Sequence, residues 1–375
     1  MENQEFMQET GIAGEPAVTM RIVSILIPCY MEREFIRGCL DSVRAFDVPD
    51  GWSAEVIVVD GMSTDGTRAI VMECAAGDSR IRLVDNIRRI QSAALNIGIA
   101  ESRGEYVMRL DAHSTYPTDY LRLCLETALR TGADNTGGIA VTMPRGEGYG
   151  AKLVQALTTH KFGVGDSGFR TGAAGGEVDT VPYGFFKRSV FDRVGLFDER
   201  LIRAQDYEMN ARIRLAGGKI WMNPAIQLRY YQQPDLPTFI RKQIVKEAPY
   251  NAYMWYVAPY SFRIRHAVTG VFAAGMILGL LLASATRPIA WLFGATMALY
   301  AALALASAFQ QALRYREVRH VFVLPVSFFL YHFLHGTGVL FGLCRLATGT
   351  APVQGHPGQT LPERPLRRQP PVDPT

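Results

Sequence analysis

Three carboxylates, far apart in the chain, carry the chemistry that residue types and spacing suggest. Asp60 ends residues 54–60 (AEVIVVD), a run almost wholly apolar before its final acid. Asp111 ends residues 106–111 (YVMRLD), and His113 follows two positions later. Asp206 lies in Gln205-Asp206-Tyr207-Glu208, which opens a helical pattern after a Gly-rich stretch. An Asp and a His two apart at a strand end can point at one divalent cation or one diphosphate, and such a cation neutralises a departing phosphate. The same spacing also suits an Asp that caps the next helix with a His in a loop, and spacing alone leaves both open. An acid such as Asp206 in a first helical turn is favoured by the helix dipole. Beside an acceptor hydroxyl it could also take the proton as general base. Ser63 and Asp65-Gly66 suit a helix cap and a turn, but this leaves the buried-looking Asp60 unexplained and makes it a candidate ligand contact.

The elements that must position these residues follow from periodicity. Residues 24–30 (SILIPCY), 54–60, 81–85 and 106–111 are short β-rich runs. They alternate with helical patterns over 33–46, 64–76 (Ser63 its candidate N-cap), 91–101 and 117–130. This alternation predicts βαβ units and an α/β fold with a mainly parallel sheet, whose ligands lie beyond the carboxyl ends of the strands. Asp60 and Asp111 stand at such ends. A further strand is expected over 137–143, a loop over 163–176, a strand over 181–186, and helices over 189–194 and 204–216, the last ended by Gly217-Gly218.

The 375 residues carry a net charge of +4, with no Lys/Arg block long enough to track a phosphate backbone, so nucleic acid is not an expected partner. A mildly basic chain suits an anionic lipid surface instead. The five cysteines (29, 39, 74, 124 and 344) form no C-x-x-C pair and are expected to be reduced. Residues 1–20 carry acids and no apolar core, so a loose tail is expected rather than a secretory signal. Residues 21–250 are expected to form a cytoplasmic globular domain, 251–346 a membrane region and 347–375 a Pro-rich disordered tail. Residues 267–285 and 288–309 contain no charged residue and are long enough to cross a ~30 Å hydrocarbon core. Residues 321–344 hold His332, His335, Gly336 and Gly338, and could span, re-enter or lie at the interface. A His pair at i, i+3 fits backbone hydrogen bonding or headgroup contact better than a metal. Arg314, Arg316 and Arg319 put the loop before this segment on the cytoplasmic side, and with two crossings before it the globular part too.

The motifs SILIPCYMERE, VIVVDGMSTDGT, AALNIGIAESRGEYVMRLDAH and VGLFDERLIRAQDYEMNARIRLAGGKI, in this order, resemble family 2 glycosyltransferases of the GT-A fold over about residues 24–218. With VDTVPYGFFKRSVFDRVGLFDER and the apolar C-terminal segments, the chain is similar to the bacterial succinoglycan-type glucosyltransferases. The resemblance implies a Rossmann-like GT-A domain followed by transmembrane helices. It implies inverting transfer of a hexose, glucose from UDP-glucose being the expectation, to a lipid-linked saccharide at the inner (plasma) membrane. It places Pro28, Tyr30, Glu32 and Asp60 at the nucleoside. Gly61 stands where the family's second acid would be. Asp111 matches the first acid of the D-x-D motif and His113 replaces the last, so the resemblance implies a divalent cation, Mn2+ or Mg2+, held by Asp111 and His113. Asp206 matches the catalytic base, with Gln205 in place of the usual Glu. Lys246, in a faint echo of a Gln-x-x-Arg-Trp element, is a candidate diphosphate contact. The competing expectations are transfer to a polyprenyl phosphate and a catalytically silent membrane scaffold.

Overall fold

The computed structural model describes residues 20–165, 168–172 and 174–354. Most of residues 1–20 and of 347–375, where tails are expected, therefore lie outside the described residues.

Nine strands form one sheet in the order β3-β2-β1-β4-β8-β6-β9-β5, with β7 beside β9. Strands β1 (Arg21–Cys29), β2 (Trp52–Asp60), β3 (Ile81–Asp85) and β4 (Tyr106–Arg109) are mutually parallel, as the βαβ pattern requires. Helices α1 (Ile36–Arg44), α2 (Thr67–Gly77) and α3 (Gln91–Glu101) connect them, and α4 (Tyr120–Thr131) follows. Beyond β4 the sheet is mixed. Strand β8 (Phe185–Lys187) runs antiparallel to both β4 and β6 (Asn135–Met143), while β9 (Ile220–Tyr231) is parallel to β6. The two-residue strands β5 (Ser114–Thr115) and β7 (Gly176–Glu177) pair antiparallel with β9. Buried Ile25, Ile27, Val56, Val58 and Met108 pack on one sheet face, and Leu26, Ile57, Val59 and Val107 on the other. Both faces are covered, which explains the near-continuous apolar runs.

Ser63 is not the cap of α2. That helix begins at Thr67 after Gly66 at φ 100°, and Ser63 instead donates to Asp60. The 163–176 loop contains two short helices, α6 (Lys161–Val164) and α7 (Gly168–Thr171), preceded by α5 (Tyr149–Thr158). Helix α8 (Ser189–Val194) leads to α9 (Gln205–Leu215). After β9 come α10 (Leu236–Lys242), a π-helical turn at Gln243–Glu247 and α11 (Ala248–Val257).

Among the described residues three helices are long and apolar enough to cross a membrane: α12 (Ile264–Ala283), α13 (Arg287–Tyr315) and α14 (Arg319–Ala347). Helices α12 and α13 bury little of their surface, whereas α14 is packed along much of its length. The third segment is thus one unbroken helix, not a hairpin. Its glycines are contact points rather than breaks. A Cβ on Gly336 would stand 2.0 Å from the Thr269 carbonyl oxygen of α12, and one on Gly338 would stand 2.8 Å from Ala248 of α11. Near its start, α14 packs Leu324 and Phe328 against Leu153, Val154 and Leu157 of α5. Past its end, Ala351 and Val353 join Leu201, Tyr250 and Tyr253. Helix α14 therefore touches the globular part at both ends and lies along it.

Candidate functional site

Strand β4 delivers Arg109, and the turn after it delivers Asp111 and His113. Tyr116 clamps this turn: its hydroxyl accepts from the Asp111 amide at 2.8 Å and lies 3.2 Å from the Asp111 carbonyl. Across the sheet edge, Ala204 adopts φ 65°, an unusual conformation for a residue with a Cβ, and starts α9 abruptly. Asp206 then falls in the first turn, where the helix dipole favours its charge.

Arg109 unites these pieces. Its guanidinium, only 5% exposed, pairs with Asp206 Oδ1 and donates to Asp111 Oδ1 at 3.2 Å. Burial opposes the guanidinium charge, but the two carboxylates outweigh it and raise its pKa above the ordinary arginine value. On the other side, Gln205 donates to Gln91 Oε1 at 2.8 Å, and Gln91 donates to Asp111 Oδ1 at 3.3 Å. Gln205, Gln91, Asp111, Arg109 and Asp206 thus form one hydrogen-bonded chain. An amide at position 205 can donate into it where a carboxylate could not.

His113 Nδ1 lies 3.1 Å from Glu32 Oε1, and its Nε2 lies 4.0 Å from Asp111 Oδ2. Burial disfavours the imidazolium, but Glu32, Tyr230 and Asp111 reverse this and push the His113 pKa up to about 9. The 4.0 Å gap is shorter than two metal–ligand bonds of about 2.1 Å end to end, so one cation could touch both atoms. Among the described residues no group of three or more His, Cys, Asp or Glu side chains is arranged for a metal. The donor set is a carboxylate and an imidazole, which leaves positions for phosphate oxygens. The residues therefore fit a shared cation rather than a protein-caged one.

The structure separates Asp60 from this constellation. Asp60 is fully buried, accepts from the Ser63 amide at 2.8 Å and the Ser63 hydroxyl at 2.6 Å, and pairs with Arg68 at 2.9 Å. It does not line the cavity that Asp111 and Asp206 share. In this structure the Asp60 oxygens hold the β2–α2 turn and Arg68, and a ligand contact by Asp60 stays a proposal. Pro28 is half-buried, and Tyr30 is exposed with its ring over Gly61, where a Cβ would stand 2.9 Å from Tyr30 Cδ2. This contact gives a reason for Gly where a second acid is usual. Glu32 serves His113. Lys246 is exposed and stays outside the cavity, while Lys242, Gln243 and Glu247 line it.

That cavity, about 820 Å3, holds Arg109, Asp111, His113 and Asp206 at one end and reaches Phe272, Tyr300 and His332 on the long apolar helices at the other. His332 Nε2 lies 3.2 Å from the Gly163 carbonyl and its Nδ1 2.8 Å from the Tyr300 hydroxyl, while His335 Nδ1 lies 2.9 Å from the Thr269 hydroxyl. Both histidines are thus hydrogen-bonded within the fold. Arg109, Gln91 and Lys242 escaped the sequence reading. Arg109 looked like an interior strand residue, and Gln91 like a helix start.

Residues 24–195 match the family model described as glycosyl transferase family 2. The chain is 36% identical over 214 residues to the succinoglycan biosynthesis protein ExoA of Rhizobium meliloti, a match covering 56% of this chain and 64% of that protein, somewhat under two thirds of its length. It is 26% identical over 337 residues to the dolichyl N-acetyl-alpha-D-glucosaminyl phosphate 3-beta-D-2,3-diacetamido-2,3-dideoxy-beta-D-glucuronosyltransferase of Methanococcus voltae, covering 87% of this chain and 98% of that protein. Among solved structures, the mannosyltransferase PcManGT from Pyrobaculum calidifontis, in complex with GDP-Man and Mn2+, shares the fold, with TM-score 0.53, 21% identity and 88% of each chain covered.

Proposed function

We propose that this chain, whose residues 24–195 match the family 2 glycosyltransferase model, transfers a hexose, glucose from UDP-glucose being the first donor to test, to a lipid-linked saccharide during exopolysaccharide synthesis. One observation carries this reading. A single cavity contains the Asp111–Arg109–Asp206 group and continues between helices apolar enough to lie in a membrane. The relatives support it by their names, one acting in succinoglycan biosynthesis and one on a lipid-phosphate saccharide.

In this reading Asp206 receives the proton of the acceptor hydroxyl as that oxygen attacks the anomeric carbon. Arg109 holds one Asp206 oxygen, and Asp206 lines the cavity. Asp111 and His113 would hold a divalent cation, Mn2+ or Mg2+, which when bound neutralises the departing diphosphate. Gln91 and Arg109 fix Asp111 for that task, and Glu32 fixes His113. Pro28 and Tyr30, at the end of β1, remain the proposed nucleoside contacts, and Asp60 supports them through the turn beside Gly61.

The orientation follows from the same packing. Arg319 lies 4.1 Å over the Tyr149 ring, and Tyr315 bonds Thr159 at 2.8 Å, so the basic α13–α14 loop sits on the globular part. The positive-inside rule then favours the cytoplasmic side of the inner membrane for both, which is the orientation of this proposal. The test is a screen of nucleotide sugars with detergent-solubilised protein and a lipid-extract acceptor, reading released nucleotide. Release from one donor that rises with the extract supports the proposal. No release from any donor refutes it.

A further inference from the structure

The membrane-facing half of the cavity carries cations that the donor chemistry above does not use. Lys161 and Arg170 both line it, and among the described residues neither has a carboxylate partner. Among the described residues Arg170 Nη1 is buried without a hydrogen-bond partner, and its guanidinium rests on the rings of Phe169 and Tyr230, 5.4 and 5.5 Å away. Other cations of the cavity are spoken for: Arg203 and Lys242 lie near Glu247, and Arg265 pairs with Asp179 at 2.8 Å. A guanidinium nitrogen buried without a partner is costly unless an anion completes it, and phosphate oxygens match its planar donors. Next to this charge the wall turns apolar. Phe162 lies 5.3 Å from Tyr300, Tyr300 stacks on Phe272 at 5.0 Å, and Val268 of α12 lines the same space while exposed on the helix exterior. An anionic head beside Lys161 and Arg170 could thus continue into an apolar tail along Phe272 and Val268.

We propose that Lys161 and Arg170 form a phosphate subsite for the acceptor, which is a saccharide on an isoprenoid-like lipid phosphate or diphosphate that enters between α12 and α13. This deepens the glycosyltransferase reading and rests on it. The Tyr230 ring lies 5.5 Å from the Arg170 guanidinium and 5.2 Å from the His113 ring, so donor and acceptor phosphates would occupy neighbouring parts of one cavity.

The test uses the full chain in detergent, calorimetry, and three probes: farnesyl diphosphate, farnesol and inorganic pyrophosphate. Farnesyl diphosphate should bind at least about tenfold more tightly than either other probe. The double variant Lys161→Gln/Arg170→Gln should lose about 10- to 100-fold of that affinity, while UDP binding with Mn2+ stays within about threefold. The charge-keeping pair Lys161→Arg/Arg170→Lys should retain most of it, which separates lost charge from misfolding. Equal affinity for farnesol or for pyrophosphate overturns the proposal, as does unchanged farnesyl diphosphate binding in the double variant. Loss of UDP rather than farnesyl diphosphate binding assigns the cations to the donor and also overturns it, leaving glycosyl transfer intact. Failure of glycosyl transfer itself is read separately, from absent donor turnover in the unmodified chain.

Discussion

Arg109 reaches Asp206, 97 positions further along the chain, and ties the end of β4 to the first turn of α9. The same guanidinium holds Asp111, so one buried cation sets the spacing of the two carboxylates with proposed chemical roles. Arg109→Lys keeps the charge but cannot serve both carboxylates with a planar fork. Turnover should fall at least about tenfold, with the fold retained by circular dichroism. Wild-type kcat in this variant would refute the bridging role.

Asp206→Asn keeps the shape of the side chain and removes its basicity. Turnover should drop by about 10²–10⁴-fold while nucleotide affinity stays within about threefold. Single-turnover kinetics and calorimetry separate the two quantities. Full activity in this variant would favour a phosphate acceptor, which needs no base.

Asp111→Ala removes one of two proposed cation ligands. Nucleotide binding should weaken about 10- to 100-fold in the presence of Mn2+ and stay unchanged in its absence, as titration calorimetry can read. Equal loss with and without the cation would make Asp111 a structural residue.

His113 supplies a pH dependence. Without a cation its pKa stands at about 9, above the ordinary value of 6.5, so at pH 7 the ring is protonated and must release that proton to bind a metal. Cation affinity should therefore rise about tenfold per pH unit from 7 toward 9 and level off above it. His113→Gln should flatten this profile. A flat profile in the unmodified chain would show that the ring takes no part.

Gly336→Leu places a side chain where even a Cβ would meet Thr269 O at 2.0 Å. Helices α12 and α14 must part, at a cost of about 1–3 kcal/mol. The melting temperature in detergent should fall by several degrees.

The alternating βαβ half was legible because both sheet faces are covered, which leaves apolar runs such as residues 56–59 that only a buried strand explains. Asp111, His113 and Asp206 were legible from position, since strand ends and first helical turns meet at one sheet edge. The internal partners of Asp60 were not legible for a physical reason: an acid ending an apolar strand can be satisfied from within, here by Ser63 and Arg68. That Lys242 rather than Lys246 lines the cavity was not legible, because local pattern does not say which face of the 243–247 turn meets a cavity formed by distant elements. Arg109 and Gln91 act through partners about 100 positions away, which no local window contains. The antiparallel β8 was hidden because three residues carry too little periodicity to reveal strand direction.

Helix α14 leaves the globular part beside Tyr149 and returns to it beside Leu201 and Tyr250. A path that begins and ends on the same surface does not deliver the chain to the opposite side of a bilayer. With the globular part at one membrane face, both ends of α14 would stay at that face, while α12 and α13 carry the most exposed apolar surface. A reporter fused just after Gln354 would accordingly share its compartment with the globular part, and a cut before α12 would strip Leu153, Val154 and Leu157 of the cover α14 gives them.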